Sequence, residues 1–161
     1  MSVQTTYSID HDVAYAGMVA DLQLCNAVSK VNKGASTIAY GLGLVSDGEN
    51  GAKIPTSSST AAQFVGVAQY ELNRAQADGE DAGIPVDRDG SVVTQGVVWV
   101  EVLDTVAKDA PVYLRVGATG TGKFSGIVGT GATLGVLVSG AKFLTGGDVG
   151  DLVKVSLGIG G

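Results

Sequence analysis

The sequence is poor in the residues that most often build catalytic centres and metal sites. Its 161 residues include one cysteine, Cys25, and one histidine, His11. A lone cysteine excludes a disulfide or a cysteine-based metal cluster within one chain, and it favours synthesis in a reducing compartment. His11 stands between Asp10 and Asp12, where a solvated charge cluster is a more ordinary interpretation than a triad or a metal ligand. We therefore predict no catalytic residue, no metal site and no cofactor.

Basic residues and long apolar runs are also scarce. The 10 Lys and Arg residues are outnumbered by 16 Asp and Glu residues, which gives a formal net charge of −6. Nucleic-acid affinity depends largely on basic side chains that neutralise phosphates, so no nucleic-acid partner is expected. No segment is apolar over the roughly eighteen residues that a membrane span needs, and the chain does not begin with the basic and apolar segments of a secretion signal. The sequence predicts neither secretion nor a membrane partner.

Glycine, by contrast, is abundant. The chain has 25 glycines against 3 prolines, with 45% apolar and only 16% charged residues. This balance fits neither a collagen-like nor a disordered chain and is typical of short strands joined by glycine turns. The length fits one domain with a core of its own. We predict an all-β fold, a compact β-barrel or β-sandwich of short glycine-bounded strands formed by residues 33–161.

The longest patterned segment, residues 92–116, predicts a β-hairpin at the centre of the sheet. Alternate residues of a strand point to opposite faces. Three valines share the face predicted to point into the core, and they are Val98, Val100 and Val102. Trp99 and Glu101 lie on the opposite face. A polar turn follows, and residues 112–116 then restore the alternation as the second strand of the hairpin.

Shorter alternating segments predict the remaining strands. These lie at residues 37–45, 64–70, around 124, 134–138 and 152–159. Residues 46–60 combine Asp-Gly and Asn-Gly pairs with a Ser/Thr cluster, so they are predicted to form a long exposed loop.

One segment has the residue spacing of a nucleotide-binding motif. Gly117–Lys123 has the GxxxxGK spacing of a phosphate-binding loop. Phe124 stands where such a loop needs a Ser or Thr hydroxyl for magnesium, and the glycine-rich residues that follow are poorly suited to the obligatory helix. We interpret this segment as a hairpin loop.

Residues 1–32 are predicted to form an extended N-terminal arm. The alternative is an edge strand of the same domain. Apolar side chains are spaced along this polar segment in a way that suits contact with another surface. The candidates for such contact are Tyr7, Ile9, Val13, Tyr15 and Met18. Trp99 is a further candidate for a subunit or partner contact, because Glu101 shares its face and a fully buried face rarely carries an unpaired carboxylate.

Four segments in this order resemble a known family. They are AYAGMVAD near the start, FVGVAQ, then DGSVVTQGVVWVEVLDTVAKDAPVYLRV, and finally GDVGDLVKVSLG. The sequence resembles the structural cement, or capsid decoration, proteins of tailed bacteriophages. The resemblance implies a small β-rich protein without enzymatic activity that binds the outer surface of the head and bridges neighbouring subunits of the major capsid protein. It also implies synthesis in the cytoplasm of the bacterial host.

Two other classes of protein share this composition. One is a virion attachment or fibre-tip module, which should expose aromatic carbohydrate or receptor sites. The other is a small oligomeric β enzyme, such as a nucleotide hydrolase built from three β subunits, although its Asp, Arg and Ser motifs are not found. Self-association is expected as well, with a homo-trimer favoured over a homo-dimer, because strand edges and the face that bears Trp99 need cover.

Overall fold

A computed structural model describes residues 14–21, 24–72, 74 and 82–158. The described residues form eleven strands and two short 3₁₀ helices, Ala61–Gln63 and Gly131–Thr133. The strands are β1 Asn26–Asn32, β2 Ile38–Ala39, β3 Gly43–Asp47, β4 Gly51–Lys53, β5 Phe64–Ala68, β6 Gly83–Ile84, β7 Asp89–Glu101, β8 Pro111–Arg115, β9 Phe124–Ser125, β10 Gly135–Phe143 and β11 Leu152–Leu157. The predicted all-β class is confirmed.

Five strands pair in a closed ring. β1 runs parallel to β4, β4 pairs with β3, β3 with β5 and β5 with β7. β7 then returns to β1 in antiparallel register, with Lys30 opposite Gly90. Each of these strands therefore has a partner on both sides over part of its length, which is how a barrel removes open edges.

A second ring uses the other half of β7. β7 pairs with β11, followed by β10, β8 and β9. A bridge between Val102 and Phe124 closes this ring, and the Leu103 backbone N–H donates to the Phe124 carbonyl at 2.9 Å. The 13-residue strand β7 is thus common to both rings.

Two apolar clusters fill the fold. The larger contains the three predicted core valines of β7 together with side chains of the second ring, among them Val112, Leu114, Phe124, Phe143, Val153 and Val155. The smaller contains Ile38, Tyr40, Leu44, Ala52, Ala68, Ile84 and Val92. Val92 belongs to the smaller cluster while the adjacent Val93 belongs to the larger one. Both faces of β7 are therefore buried at this point, as alternation along a strand requires.

Residues 14–20 lie beside β7 rather than apart from the domain. The Ala20 N–H donates to the Val97 carbonyl at 2.8 Å, and the Tyr70 N–H donates to the Gly17 carbonyl at 2.9 Å. Gly17 has a φ of 84°, and a β-carbon there would come within 2.5 Å of the Ala68 carbonyl oxygen. Only glycine permits this backbone to approach so closely.

The predicted hairpin of residues 92–116 is wrong in its pairing, although both of its strands exist. β11 and β10 lie between β7 and β8 in the sheet order. The segment after β7 does not make a tight turn, because Val106 instead forms a bridge with Gly147. Alternation had placed the valines on the correct face but could not specify which strand lies next to them.

Two shorter predictions also need correction. The predicted loop at 46–60 contains β4, where Gly51 and Ala52 are buried and pair with β3. The predicted strand at 37–45 is divided into β2 and β3, because the chain turns at Tyr40 and Gly41. No helix in the described part of the chain is long and apolar enough to cross a membrane.

Candidate functional site

An open cleft of about 590 Å³ lies on the outer face of β7. Its lining comes from three segments, which are residues 14–16, the β7 side chains Trp99 and Glu101, and residues 150–152 at the start of β11. Trp99 and Glu101 project from the same face because they are two residues apart on one strand. We refer to this feature as the Trp99 cleft.

Backbone pairing on both sides of β7 holds Trp99 in place. Its N–H donates to the Met18 carbonyl at 2.9 Å, and its carbonyl accepts from the Gly17 N–H at 2.7 Å. On the other side it pairs with Lys154 of β11. The Lys154 ammonium lies 5.2 Å from the centroid of the indole ring, which is the geometry of a cation–π contact.

A row of tyrosines fixes the ring of Tyr15. Tyr15 stacks on Tyr70 with ring centroids 5.2 Å apart and an angle of 12° between the planes. Tyr70 in turn meets the edge of Tyr40 at the same distance. Tyr15 nevertheless stays 46% exposed, so part of it is available to a partner.

The charged residues that line the cleft are both carboxylates. Glu101 accepts a hydrogen bond from the Lys123 ammonium, and Asp151 accepts one from the Asp148 N–H at 2.8 Å. Glu101 is only partly buried. Its pairing with Lys123 accounts for a carboxylate on a face that also carries an aromatic ring.

A second ion pair anchors the end of β5 to β7 near this row of tyrosines. The Arg74 guanidinium lies 2.7 Å from the Glu71 carboxylate, which also accepts the Ser91 N–H at 2.8 Å. Burial alone would raise the pKa of Glu71, but the hydrogen bonds from Arg74 and Ser91 outweigh it and hold that pKa below its ordinary value.

Three of the six predicted contact residues are brought together here. Tyr15 and Trp99 line the cleft, and Met18 is joined to Trp99 through the backbone. Tyr7, Ile9 and Val13 lie outside the described residues, as do His11 and the two aspartates beside it.

Sequence reasoning missed Asp151 and Leu152 as lining residues. The alternation of β11 does contain a signal for Leu152, because it points away from the face that Val153 and Val155 share. Nothing in the sequence indicates that residues 14–16 would form the facing wall.

The segment with phosphate-loop spacing is a hairpin loop, as predicted. β8 and β9 flank it and pair in antiparallel register, with Leu114 opposite Phe124. Lys123, which would contact phosphates in a nucleotide-binding loop, instead holds Glu101.

A buried polar cluster supports the same hairpin. Arg115 is only 4% exposed, and its Nη2 donates to the Ser125 hydroxyl at 2.8 Å. Asp104 accepts from that hydroxyl and from the Gly126 N–H, and its carboxylate lies 3.4 Å from Arg115. This cluster joins the end of β7 to β8 and β9 by polar contacts. Within the described ranges, no group of three or more His, Cys, Asp or Glu residues is arranged to hold a metal ion.

A comparison with protein families gives a match that spans nearly the whole chain. Residues 3–158 match the family described as structural cement protein (E217 gp24/Pam3 gp6). The chain belongs to this family. It is therefore a structural protein associated with phage capsids. No protein among the curated sequences matches.

Solved structures support the fold of this cement protein. A chain in the structure titled "The capsid of Myoviridae Phage XM1" is 21% identical, with 98% of each chain covered and a TM-score of 0.72. A second similar structure is the head fibre gp8.5 N base of bacteriophage phi29, at 10% identity and a TM-score of 0.42, covering 83% of this chain and 94% of that one. The first likeness shows a shared fold, and the second is too weak to carry an argument.

Proposed function

We propose that this cement protein binds the outer surface of a bacteriophage head and joins neighbouring subunits of the major capsid protein. The observation that carries the proposal is the family match over residues 3–158. A protein that binds many equivalent sites on an assembled shell, but not its separated subunits, stabilises the shell by mass action. Such a role needs no chemistry, only a rigid unit and an adhesive surface.

The Trp99 cleft is the surface that we assign to capsid contact. Tyr15 and Trp99 line it, and Met18 is joined to Trp99 through the backbone. Trp and Tyr are among the residues most enriched at the centres of protein interfaces. Ala14, where the described chain begins, lines the same cleft. An arm formed by the residues before it, with Tyr7, Ile9 and Val13, would therefore start from this surface and extend it.

We infer that the protein has no enzymatic activity and is made in the host cytoplasm. The family is described as structural. Burial raises the pKa of the Cys25 thiol, which lowers the fraction present as the nucleophilic thiolate. Lys123 is held by Glu101 rather than presented to a phosphate.

Self-association as a homo-trimer is also proposed. A set of exposed apolar side chains on the second ring, none of which lines the Trp99 cleft, offers a contact between copies. Its members are Ile127, Val128 and Leu137, which are 58%, 52% and 47% exposed. The Gly135 N–H donates to the Val128 carbonyl, which brings the two segments together. This assignment leaves the cleft for the capsid.

Undecorated heads mixed with purified protein provide the test. Full-length protein should co-sediment with the heads and raise the temperature at which they rupture. Deletion of residues 1–13 should weaken both effects. The deletion should end there, because residues 17–20 hydrogen-bond to β7 and Tyr70, and β1 belongs to the first ring. If the truncated protein binds and protects equally well, residues 1–13 of the predicted arm have no adhesive role. If neither protein binds, the cement function itself is refuted.

A further inference from the structure

The Trp99 cleft has a chemical character that indicates what kind of group it receives. Two aromatic rings and two carboxylates line it, and no Lys or Arg is found among its described lining residues. The whole chain carries a net charge of −6. Two ammonium groups also contact this lining, because Lys123 pairs with Glu101 and Lys154 lies over Trp99. The preference for a cationic over an anionic group therefore rests on Asp151 and on the net charge of the chain.

The indole of Trp99 already attracts a cation within the protein. Lys154 lies over the ring, yet it is not one of the residues that line the cleft. Tyr15 adds a second ring, held in place by its stacking on Tyr70. Rings fixed in this way need little further ordering when a ligand binds.

The two residues that carry the carboxylates lie on neighbouring segments of the sheet. Leu152 is opposite Glu101 in the register of β7 and β11, and Asp151 directly precedes it. The Val102 N–H donates to the Asp151 carbonyl, which keeps this turn against the end of β7. A cation that enters between the two segments would share Glu101 with Lys123 and Asp151 with the Asp148 N–H.

We propose that the Trp99 cleft binds an arginine side chain of the major capsid protein. A planar guanidinium stacks on aromatic rings, pairs with carboxylates through two parallel hydrogen bonds and loses its hydration more readily than an ammonium. Each of these properties matches a component of the lining. The proposal rests on the capsid-binding function, because it places the arginine on the capsid subunit.

Charge-neutral variants that keep side-chain volume test the proposal on undecorated heads. The double substitution Glu101→Gln with Asp151→Asn should weaken binding by about tenfold and reduce its dependence on salt, because it removes the charge that the guanidinium meets. Glu49→Gln changes the net charge in an exposed turn of the first ring and serves as the control, with binding expected to stay within about twofold. If the double variant fails to fold, Asp151→Asn alone can be measured instead, because Asp151 lies in an exposed turn.

The single tryptophan of the chain gives a second measurement that needs no heads. A capped Gly-Arg-Gly tripeptide should change Trp99 emission in a saturable way, more strongly than the Gly-Lys-Gly peptide. Gly-Gln-Gly and a neutral disaccharide should have no effect. The response should be lost in the double variant and kept in Glu49→Gln.

The outcomes separate the two proposals. Wild-type protein that binds heads, with no loss in the double variant and no emission response to the arginine peptide, would overturn the arginine assignment and leave the cement function standing. Wild-type protein that does not bind heads would refute the cement function, and with it the arginine's place on the capsid. A response to the disaccharide alone would assign the cleft to carbohydrate instead and would also overturn the proposal.

Discussion

Val100 lies within the larger apolar cluster and has no exposed surface. Val100→Asp would place a carboxylate among valines without a partner, which costs several kcal/mol against a stability of roughly 5–15 kcal/mol. We expect this variant to be unfolded at neutral pH by circular dichroism. Glu101→Gln, one residue further along the same strand, should keep a native spectrum. Two equally native spectra would contradict the burial of this face.

Glu71 makes part of the stability depend on pH. Its folded-state pKa lies below the ordinary value of 4.5, so the carboxylate stabilises the fold above that pH, and the contribution is lost as the pH falls through the folded-state pKa. Glu71→Gln removes this contribution. Wild type should therefore be more stable than Glu71→Gln in urea at pH 6, and the difference should shrink as the pH is lowered below 4.5.

The same titration on a second variant checks the assignment. Asp47→Asn removes a carboxylate from a more exposed ion pair with Lys53 and should affect stability less, because solvent screens such pairs. A difference between wild type and Glu71→Gln that stays constant from pH 6 to pH 3 would show that the titrating group is not Glu71.

At the scale of elements, the attachment of residues 14–20 to β7 depends on Gly17. Alanine there would combine a strained φ with a β-carbon 2.5 Å from the Ala68 carbonyl oxygen. We expect Gly17→Ala to release this segment from β7 while both rings persist. Trp99 emission should shift to longer wavelength, and hydrogen exchange at the Trp99 amide should accelerate.

Gly48 provides a matched control for that experiment. It also has a positive φ, of 71°, but a β-carbon there meets nothing within 4 Å. Gly48→Ala should therefore lower stability by only about 1 kcal/mol and leave Trp99 emission unchanged. An identical response of the two variants would mean that strain, and not the close approach, determines the effect.

The positions of the strands were easier to predict than the order in which the strands pair. Alternation in β7 placed Val98, Val100 and Val102 on a buried face correctly, because successive side chains of a strand point to opposite faces. Val97, on the opposite face, is buried as well. The pairing of β7 with β8 was wrong because adjacency in the chain does not fix adjacency in the sheet. Closing the second ring requires β11 and β10 between them. β4 was missed because three residues, Gly51 to Lys53, carry no pattern of their own.

The site was only partly predictable for a related reason. Trp99 stood out as a large aromatic beside a carboxylate on an outward face, a local signal. The cleft itself joins three segments that are distant in sequence, and their meeting depends on the strand order. Tyr15 was identified by its apolar character, whereas its stacking on Tyr70 became apparent only in the fold.

At the scale of the whole molecule, the oligomeric state is the property to test. Sedimentation equilibrium should give three times the chain mass of 16.1 kDa, because a cyclic trimer can bury the exposed apolar group on each copy. Ile127→Ser with Val128→Ser should shift the mass towards one chain, since it removes apolar surface and leaves intact the hydrogen bonds between the Ile127 backbone and the Ser125 hydroxyl. Val149→Ser, at an isolated exposed valine, should have no effect on the mass. A wild-type mass of one or two chains would refute the trimer.

The strand common to both rings determines when this chain can fold. β7 needs β1 from the first part of the chain and β11 from its last part, with Gly96 opposite Leu157. Contacts between such distant residues form slowly, because a long loop must close before they can be made. The second ring cannot be completed until β11 has been synthesised, whereas every strand of the first ring lies within residues 26–101. We therefore expect β1, β3, β4, β5 and β7 to pair before the second ring closes on the shared strand.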